Sequence, residues 1–423
     1  MSDTKKMYDI AVIGGGAAGS MAAIRAGQLG KSVILAERND CIGKKIMITG
    51  KGRCNLTNTA ALDVFIKKFS PAGEFLRTSF YSFFNEDVIG FFRSRGLGLK
   101  VERQGRVFPV TDKAGSVVSV LVKCLKEGGV EVAYSTRAAN IEIEDGHFII
   151  TSEDAVRIRA KKVILATGGA SYRATGSTGD GFIMARRMGH MVTDLKPGLV
   201  PLKTKERWVR DLRGLSLENV RLSFMRGDKR IDCGIGDVMF THFGVSGPLV
   251  LDMSGEIVSL LGSREEIRFM IDLKPGLTKE RLESKLVGSF VAKGNTKIKN
   301  FMQDMLPKRI IDIFLSLSDV QRDKPVNQVT KRERGVMIDT LKAFPFTVTG
   351  CLSIEDAMVT VGGVSIKDIN PRTMESKKVP GLYFAGEIIE GAAPSGGYNL
   401  QQAFSTGYLA GEKSSEAVLN KEA

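Results

Sequence analysis

Residues 8–37 constrain this chain most. Tyr8–Ile13 is a short apolar run suited to a buried parallel strand. It runs into Gly14-Gly15-Gly16-Ala17-Ala18-Gly19, which fits GxGxxG at Gly14, Gly16 and Gly19. A helical stretch from Ser20 to Leu29 follows, and a second apolar strand, Ser32–Ala36, ends on Glu37 and Arg38. In such a unit the first glycine permits a tight turn, the second lets backbone approach a pyrophosphate, and the third lets helix and strand pack closely. The helix start, with Ala17 and Ala18, offers free N–H groups and a positive dipole end to an anion. Glu37, eighteen residues after Gly19, is placed to accept from an adenosine ribose and would repel a 2′-phosphate, so the expected ligand is FAD or NAD.

The far end of the chain favours FAD. Val379–Glu387 reads as a strand ending on Gly386 and Glu387, and Gly396, Gly397, Tyr398 and Asn399 lead into a helical pattern from Leu400 to Glu412. A second strand end and helix start, both with close-approach glycines, suit a long dinucleotide. The positive end of that helix could stabilise a reduced flavin. Between the two ends, Lys44, Lys45, Gly52, Arg53 and Asn55 fall in a glycine-bearing segment expected to pass over the pyrophosphate. Ala138 is expected at the adenine edge, and Ala166, Thr167 and Gly168 at a tight crossing beside the dinucleotide. Solvated basic loop residues and an ordinary helix cap are the plain alternatives, and for Lys51 the plain one is better.

The 423 residues exceed one hydrophobic core, so two or three domains are expected. No window approaches eighteen uninterrupted apolar residues, and the polar start Met1–Lys6 does not resemble a signal peptide. Five separated cysteines without a CxxC pair argue against a disulfide framework or a metal site and for a reducing, cytoplasmic setting. Cys54 is read as a small buried residue rather than a redox thiol. Phe80, Phe83, Phe84, Phe91 and Phe92 recur at helical spacing between Phe69 and Arg95, a pattern that usually marks core. Short alternating strands from about Leu195 to Ile271 suggest a barrel or sandwich, and Thr278–Leu317 reads as helical, with breaks at Gly294 and Pro307. The net charge is +14, of which residues 203–334 carry +7. No RNA-binding signature accompanies it, so a small-molecule substrate is expected and nucleic acid is not; the oligomeric state is open.

Five blocks then carry a family resemblance: Ile48–Asn58 (with Gly-Arg-Cys-Asn-Leu-Thr-Asn), Gly105–Pro109, Ala166–Ser171, Phe240–Pro248 and Gly396–Gln401. Together they resemble the BaiN-like bacterial flavoproteins over nearly the whole chain. These are NAD(P)/FAD-dependent oxidoreductases that include bile-acid enone reductases and an aminoacetone oxidase. The resemblance implies an α/β chain whose FAD-binding Rossmann domain, of the glutathione-reductase type, is interrupted by an inserted β-barrel and a small helical domain. Residues 1–194 and 355–423 would form the FAD domain, 195–276 and 331–354 the barrel, and 277–330 the helical insert. Where the family reads Gly-Glu-x-x-Asp-x-x-Gly-x-x-Gly-Gly-Tyr-Asn, this chain has Glu390 for the Asp and Ala393 for the Gly, in a loop expected to border the flavin.

The expected activity is hydride transfer between non-covalent FAD and a small organic substrate, by analogy the reduction of an enone-type double bond. No second GxGxxG is present, so NADH or NADPH would dock transiently as electron donor. The substrate carbonyl needs a hydrogen-bond donor and the adjacent carbon a proton, and His242, Tyr398 and Arg53 are the candidates. A lone histidine more often serves packing. The alternatives are a flavin oxidase of small amines, an RNA-associated or tRNA-modifying flavoprotein, and a flavin-binding module without turnover.

Overall fold

The computed structural model describes residues 3–263 and 266–419. The chain forms two compact units, residues 1–198 with 354–423, and residues 199–353.

The first unit is built on a seven-stranded sheet. Asp3–Ile13 lies between Val33–Ala36 and Arg157–Leu165, parallel to both, with Ile13 opposite Ala36 and Leu165. Residues 10–13 are buried on both faces, as an interior parallel strand requires. Glu131–Ala133 extends the sheet beyond Val33–Ala36. On its other side Arg157–Leu165 has two neighbours: its first half pairs antiparallel with His147–Ser152, and its last three residues pair parallel with Leu382–Phe384. The chain therefore returns from residue 382 to complete the sheet begun at residue 3.

Helix Ala17–Gln28 crosses the C-terminal helix Tyr398–Leu419 at a glycine seam. A Cβ on Gly407 would lie 2.2 Å from the Ala18 carbonyl oxygen, and one on Gly411 2.4 Å from that of Ala22. The phenylalanine-rich stretch between Phe69 and Arg95 forms two helices, Gly73–Ser82 and Asn85–Arg93, preceded by Leu62–Lys68. Their rings make a core: Phe65 meets Phe80, Phe84 and Tyr398 edge-on, and Phe83 stacks on Tyr408.

His190 is buried in this unit between Ala185 O and Ser376 Oγ, its ring edge-on to Phe384, with Asp368 and Lys378 nearby. Burial pushes its imidazole below the ordinary value, outweighing the Ala185 carbonyl and Asp368. The unfolded chain therefore takes up a proton first, and the stability held above the ordinary imidazole range is lost as pH falls through it. We expect denaturant midpoints to drop between pH 7.5 and 5.5 in the wild type and to drop less in His190→Gln.

The second unit is a closed six-stranded barrel. Around it run Leu202–Thr204, Gly244–Ser246, Lys229–Phe240, Ser216–Arg226, Ile267–Asp272 and Phe344–Cys351, the last pairing back with Leu202–Thr204. Pro248–Leu261, which falls in the stretch expected to be strands, is a helix. Proline at its first turn and Val250, Leu251, Ser254 and Ile257 on its buried face explain why. Helices Lys279–Ala292, Ile298–Phe301, Lys308–Leu317 and Lys331–Lys342 follow, broken near Gly294 and Pro307. The last runs to Lys342 behind a Thr330–Glu333 capping box, so the returning barrel strand begins at Phe344. Among the described residues no helix is long and apolar enough to cross a membrane.

Candidate functional site

A cleft of about 1220 Å³, its open mouth included, lies in the first unit at the carboxyl ends of the parallel strands. Its floor is Gly14, Gly16, Ala17 and Ala18 at the start of helix Ala17–Gln28. The three motif glycines do three different things. Gly14 sits at φ +102° against the Ala166 carbonyl, where a Cβ would come within 2.6 Å. Gly19, outside the cleft wall, packs on Gly14, where a Cβ would lie 1.8 Å from the carbonyl oxygen. Gly16 faces open space, with no atom within 4 Å of a Cβ position, and its φ of −76° is open to any residue.

One end of the cleft is polar. Glu37, 6% exposed, accepts from Gly15 N at 2.7 Å and from Asn39 N and Nδ2 at 2.8 and 2.7 Å. Its carboxylate thus ties the glycine turn to the end of the second strand and keeps one acceptor site, on Oε2, for a further donor. Arg38 donates to Thr178 Oγ1 at 2.6 Å, and Arg137 grips Asp180 with Nε and Nη2 at 2.7 and 2.9 Å. The Arg137 guanidinium holds the Asp180 carboxyl below its usual range. Ala138 lies beside them in the wall.

At the other end Lys45 Nζ pairs with Glu387 Oε2 at 2.7 Å and donates to Ser171 Oγ at 2.8 Å. Glu387 Oε1 also accepts from Thr360 N at 2.8 Å and Ser171 Oγ at 3.0 Å. Lys44, Ala166, Gly168, Asn399 and Leu400 line the same cleft. So do two buried polar atoms without a partner, Thr167 Oγ1 and Gln402 Nε2, the latter on a residue 2% exposed. Buried polar atoms are rarely left unpaired. Orphan groups, open space over Gly16 and a helix start beneath it together fit a pyrophosphate-bearing dinucleotide.

Other expected residues lie elsewhere. Gly52, Arg53 and Asn55 are not in the cleft wall. Arg53 ion-pairs with Glu102 and Asp112 and lies 4.1 Å over the Phe108 ring, so its charge is spent within its own substructure. Asn55 Oδ1 is buried without a partner. Gly386 and Gly397 serve close approach, to Ala18 and to the Thr57 carbonyl. Tyr398, 8% exposed, packs on Phe65 at 4.7 Å. His242 belongs to the second unit, exposed on the turn before Gly244–Ser246 with its ring edge on Phe243. Burial pushes the Cys54 thiol up to about 12, which suits packing rather than redox chemistry.

The two most distinctive blocks are cross-linked. Thr57 Oγ1 donates to Gln401 Oε1 at 2.5 Å, and Asn58 Nδ2 to Gly396 O at 3.0 Å. Asn399 clamps the loop before it, accepting from Ala393 N and donating to Ala393 O. Ala393 does not adopt a left-handed conformation, so alanine in place of glycine costs nothing there. Sequence reasoning missed Asn39, Gln402 and the residue 175–178 loop. Gln402 stands one turn into a helix already singled out, and that position was the available signal.

The profile of the HI0933-like protein Rossmann domain matches residues 8–413. The chain belongs to this family. It is accordingly an FAD-dependent oxidoreductase with a Rossmann-type fold and an inserted barrel. It is 32% identical over 412 residues to the 3-dehydro-bile acid delta(4,6)-reductase of Clostridium scindens, covering 97% of this chain and all of that one. It is 29% identical over 406 residues to the ribosomal RNA dihydrouridine synthase of Escherichia coli, covering 95% and 96%. The 3-ketosteroid delta1-dehydrogenase of Sterolibacterium denitrificans shares the fold, with a TM-score of 0.55 at 13% identity, covering 97% of this chain and all of that one.

Proposed function

We propose that the chain reduces a carbon–carbon double bond conjugated to a carbonyl, with FAD held in the cleft of the first unit and NADH or NADPH as electron donor. The observation that carries this reading is the pair of full-length relatives. A Δ4 bond beside a 3-ketone and the 5,6-bond of uracil differ in size and carrier, yet both are activated by conjugation to a carbonyl. FAD, when bound, supplies hydride to the carbon distal to that carbonyl.

The protein's part is to bind and orient. The N–H groups at Gly16–Ala18 would meet the pyrophosphate, Glu37 the adenosine ribose, and residues 136–138 the adenine. Thr167 Oγ1 and Gln402 Nε2 would receive the polar groups they lack, and Asn399 would fix the loop that borders the flavin. The Lys45–Glu387 pair would set the charge at that end of the cleft. His242 and Tyr398 would be the donors to the substrate. The packing of Tyr398 on Phe65 makes it the weaker of the two, and the ion pairs of Arg53 argue for a structural role.

Glu37→Ala should weaken FAD binding by about 1.5–3 kcal/mol, or ten- to 150-fold in Kd, while saturating FAD restores the flavin spectrum. Fluorescence titration of the apoprotein measures this. Unchanged affinity would place the ribose elsewhere.

For the substrate, a base within RNA is the stronger reading, because the +14 charge suits a polyanion better than a bile acid or a small amine. It runs against the expectation drawn from missing RNA-binding signatures, which describe other folds. Nucleoside mass spectrometry of ribosomal RNA tests it. A deletion strain should lack a dihydrouridine that the wild-type gene restores, and identical profiles would return the substrate to the small-molecule enones.

A further inference from the structure

A band of cations on the second unit has no role in the cleft chemistry. Residues Arg207–Leu212 form a 3₁₀ helix. Its period of three residues turns Val209 and Leu212 into the core and Arg207 and Arg210 to solvent. Arg213, just past its end, is also exposed. Trp208 anchors the segment, its ring edge-on to Phe344 and Phe240 at 5.3 and 6.1 Å.

A second element adds charge to the band. Arg309 donates to the carbonyls of Asp211 and Arg213 at 2.6 and 2.9 Å, bringing the start of helix Lys308–Leu317 alongside. Exposed Lys308 comes with it. Elsewhere in this unit Lys205, Arg221, Lys324 and Arg334 are matched to carboxylates, while exposed Lys203, Arg281, Lys285, Lys331 and Arg332 form no ion pair among the described residues. Arg207, Arg210, Arg213, Lys308 and Arg309 have no carboxylate partner among the described residues. Two acids lie within the segment: Glu206, which accepts from Thr347 N, and exposed Asp211. The band keeps a surplus of positive charge, held in place by Trp208 and by the Arg309 bonds to the main chain.

We propose that this band, Arg207–Arg210–Arg213 with Lys308 and Arg309, is the surface on which the phosphate backbone of an RNA substrate docks. This rests on the RNA reading above. The backbone rises about 6 Å from Arg207 to Arg210 along the 3₁₀ axis, near the spacing of successive phosphates, and an anchored row loses little freedom on binding. Such contacts carry no base information; they hold the RNA while the reaction site reads the base.

The test is binding of a fluorescein-labelled single-stranded ribosomal RNA oligonucleotide to the FAD-loaded protein across about 50–200 mM salt. Each phosphate contact to a single strand contributes about 0.7 to the slope of log affinity against log salt. Arg207→Gln/Arg210→Gln/Arg213→Gln should lower the slope by about 2, so that the wild type loses about 16-fold more affinity than the variant across that range. Replacing the same three residues by lysine should keep most of the slope. FAD content and reduction of a free cyclic enone should not change in either variant, since none of the three touches the cleft.

Equal affinity and slope in the wild type and the glutamine variant would overturn the assignment. So would binding to phosphatidylglycerol vesicles without binding to RNA. The two readings fail separately. RNA that is reduced equally well by the glutamine variant defeats the docking surface alone, while RNA that is bound with the expected slopes but never reduced defeats the reaction alone.

Discussion

Gly16→Val should purify folded and without flavin. No atom stands within 4 Å of a Cβ there and the backbone is extended, so the fold has room for the side chain. The branched methyls would project into the cleft where the pyrophosphate must approach the start of helix Ala17–Gln28. Far-ultraviolet circular dichroism should match the wild type and the thermal midpoint that of the flavin-free wild type, while the absorbance of bound flavin disappears. Normal flavin content would remove the phosphate site from Gly16.

Three residues on, Gly19→Ala should do the opposite kind of damage. Its Cβ would stand 1.8 Å from the Gly14 carbonyl oxygen, and that carbonyl belongs to a turn fixed by Gly14 N to Ala36 O and Ala166 N to Ile13 O. Neither side can yield without moving the sheet. Overpacking of a tight core costs about 1–3 kcal/mol, and backbone against backbone should reach or exceed the top of that range. Lower yield, a lower denaturation midpoint and loss of flavin together are the expected result. A variant as stable as the wild type would mean that helix and strand are further apart than described.

The contrast shows what could be read in the sequence. The GxGxxG turn, the burial of residues 10–13 and the placing of Glu37 at the end of the second strand follow from local rules about strands and helix starts. The return of the chain to Leu382–Phe384 was signalled by a strand pattern ending on Gly386 and Glu387. Other features depend on which distant surfaces meet. Arg53 reads as a cofactor contact because its block is glycine-rich and basic, yet Glu102 and Asp112, about fifty and sixty residues on, take its charge. Lys45 finds Glu387 across the whole unit. Tyr398, beside a helix start that lines the cleft, is turned onto Phe65. Pairings at such separations leave no periodic trace in a single chain.

Oxidation of the reduced flavoprotein under anaerobic conditions tests the central claim most directly. The protein is reduced with NADH or NADPH and mixed, without dioxygen, with a cyclic enone or with a uridine-containing ribosomal RNA hairpin, while flavin absorbance is followed. The oxidised flavin spectrum should return rapidly with at least one of the two, with one saturated carbon–carbon bond formed per flavin reoxidised. This reaction would be contradicted if both left the flavin reduced while small primary amines reduced the oxidised protein and dioxygen alone reoxidised it.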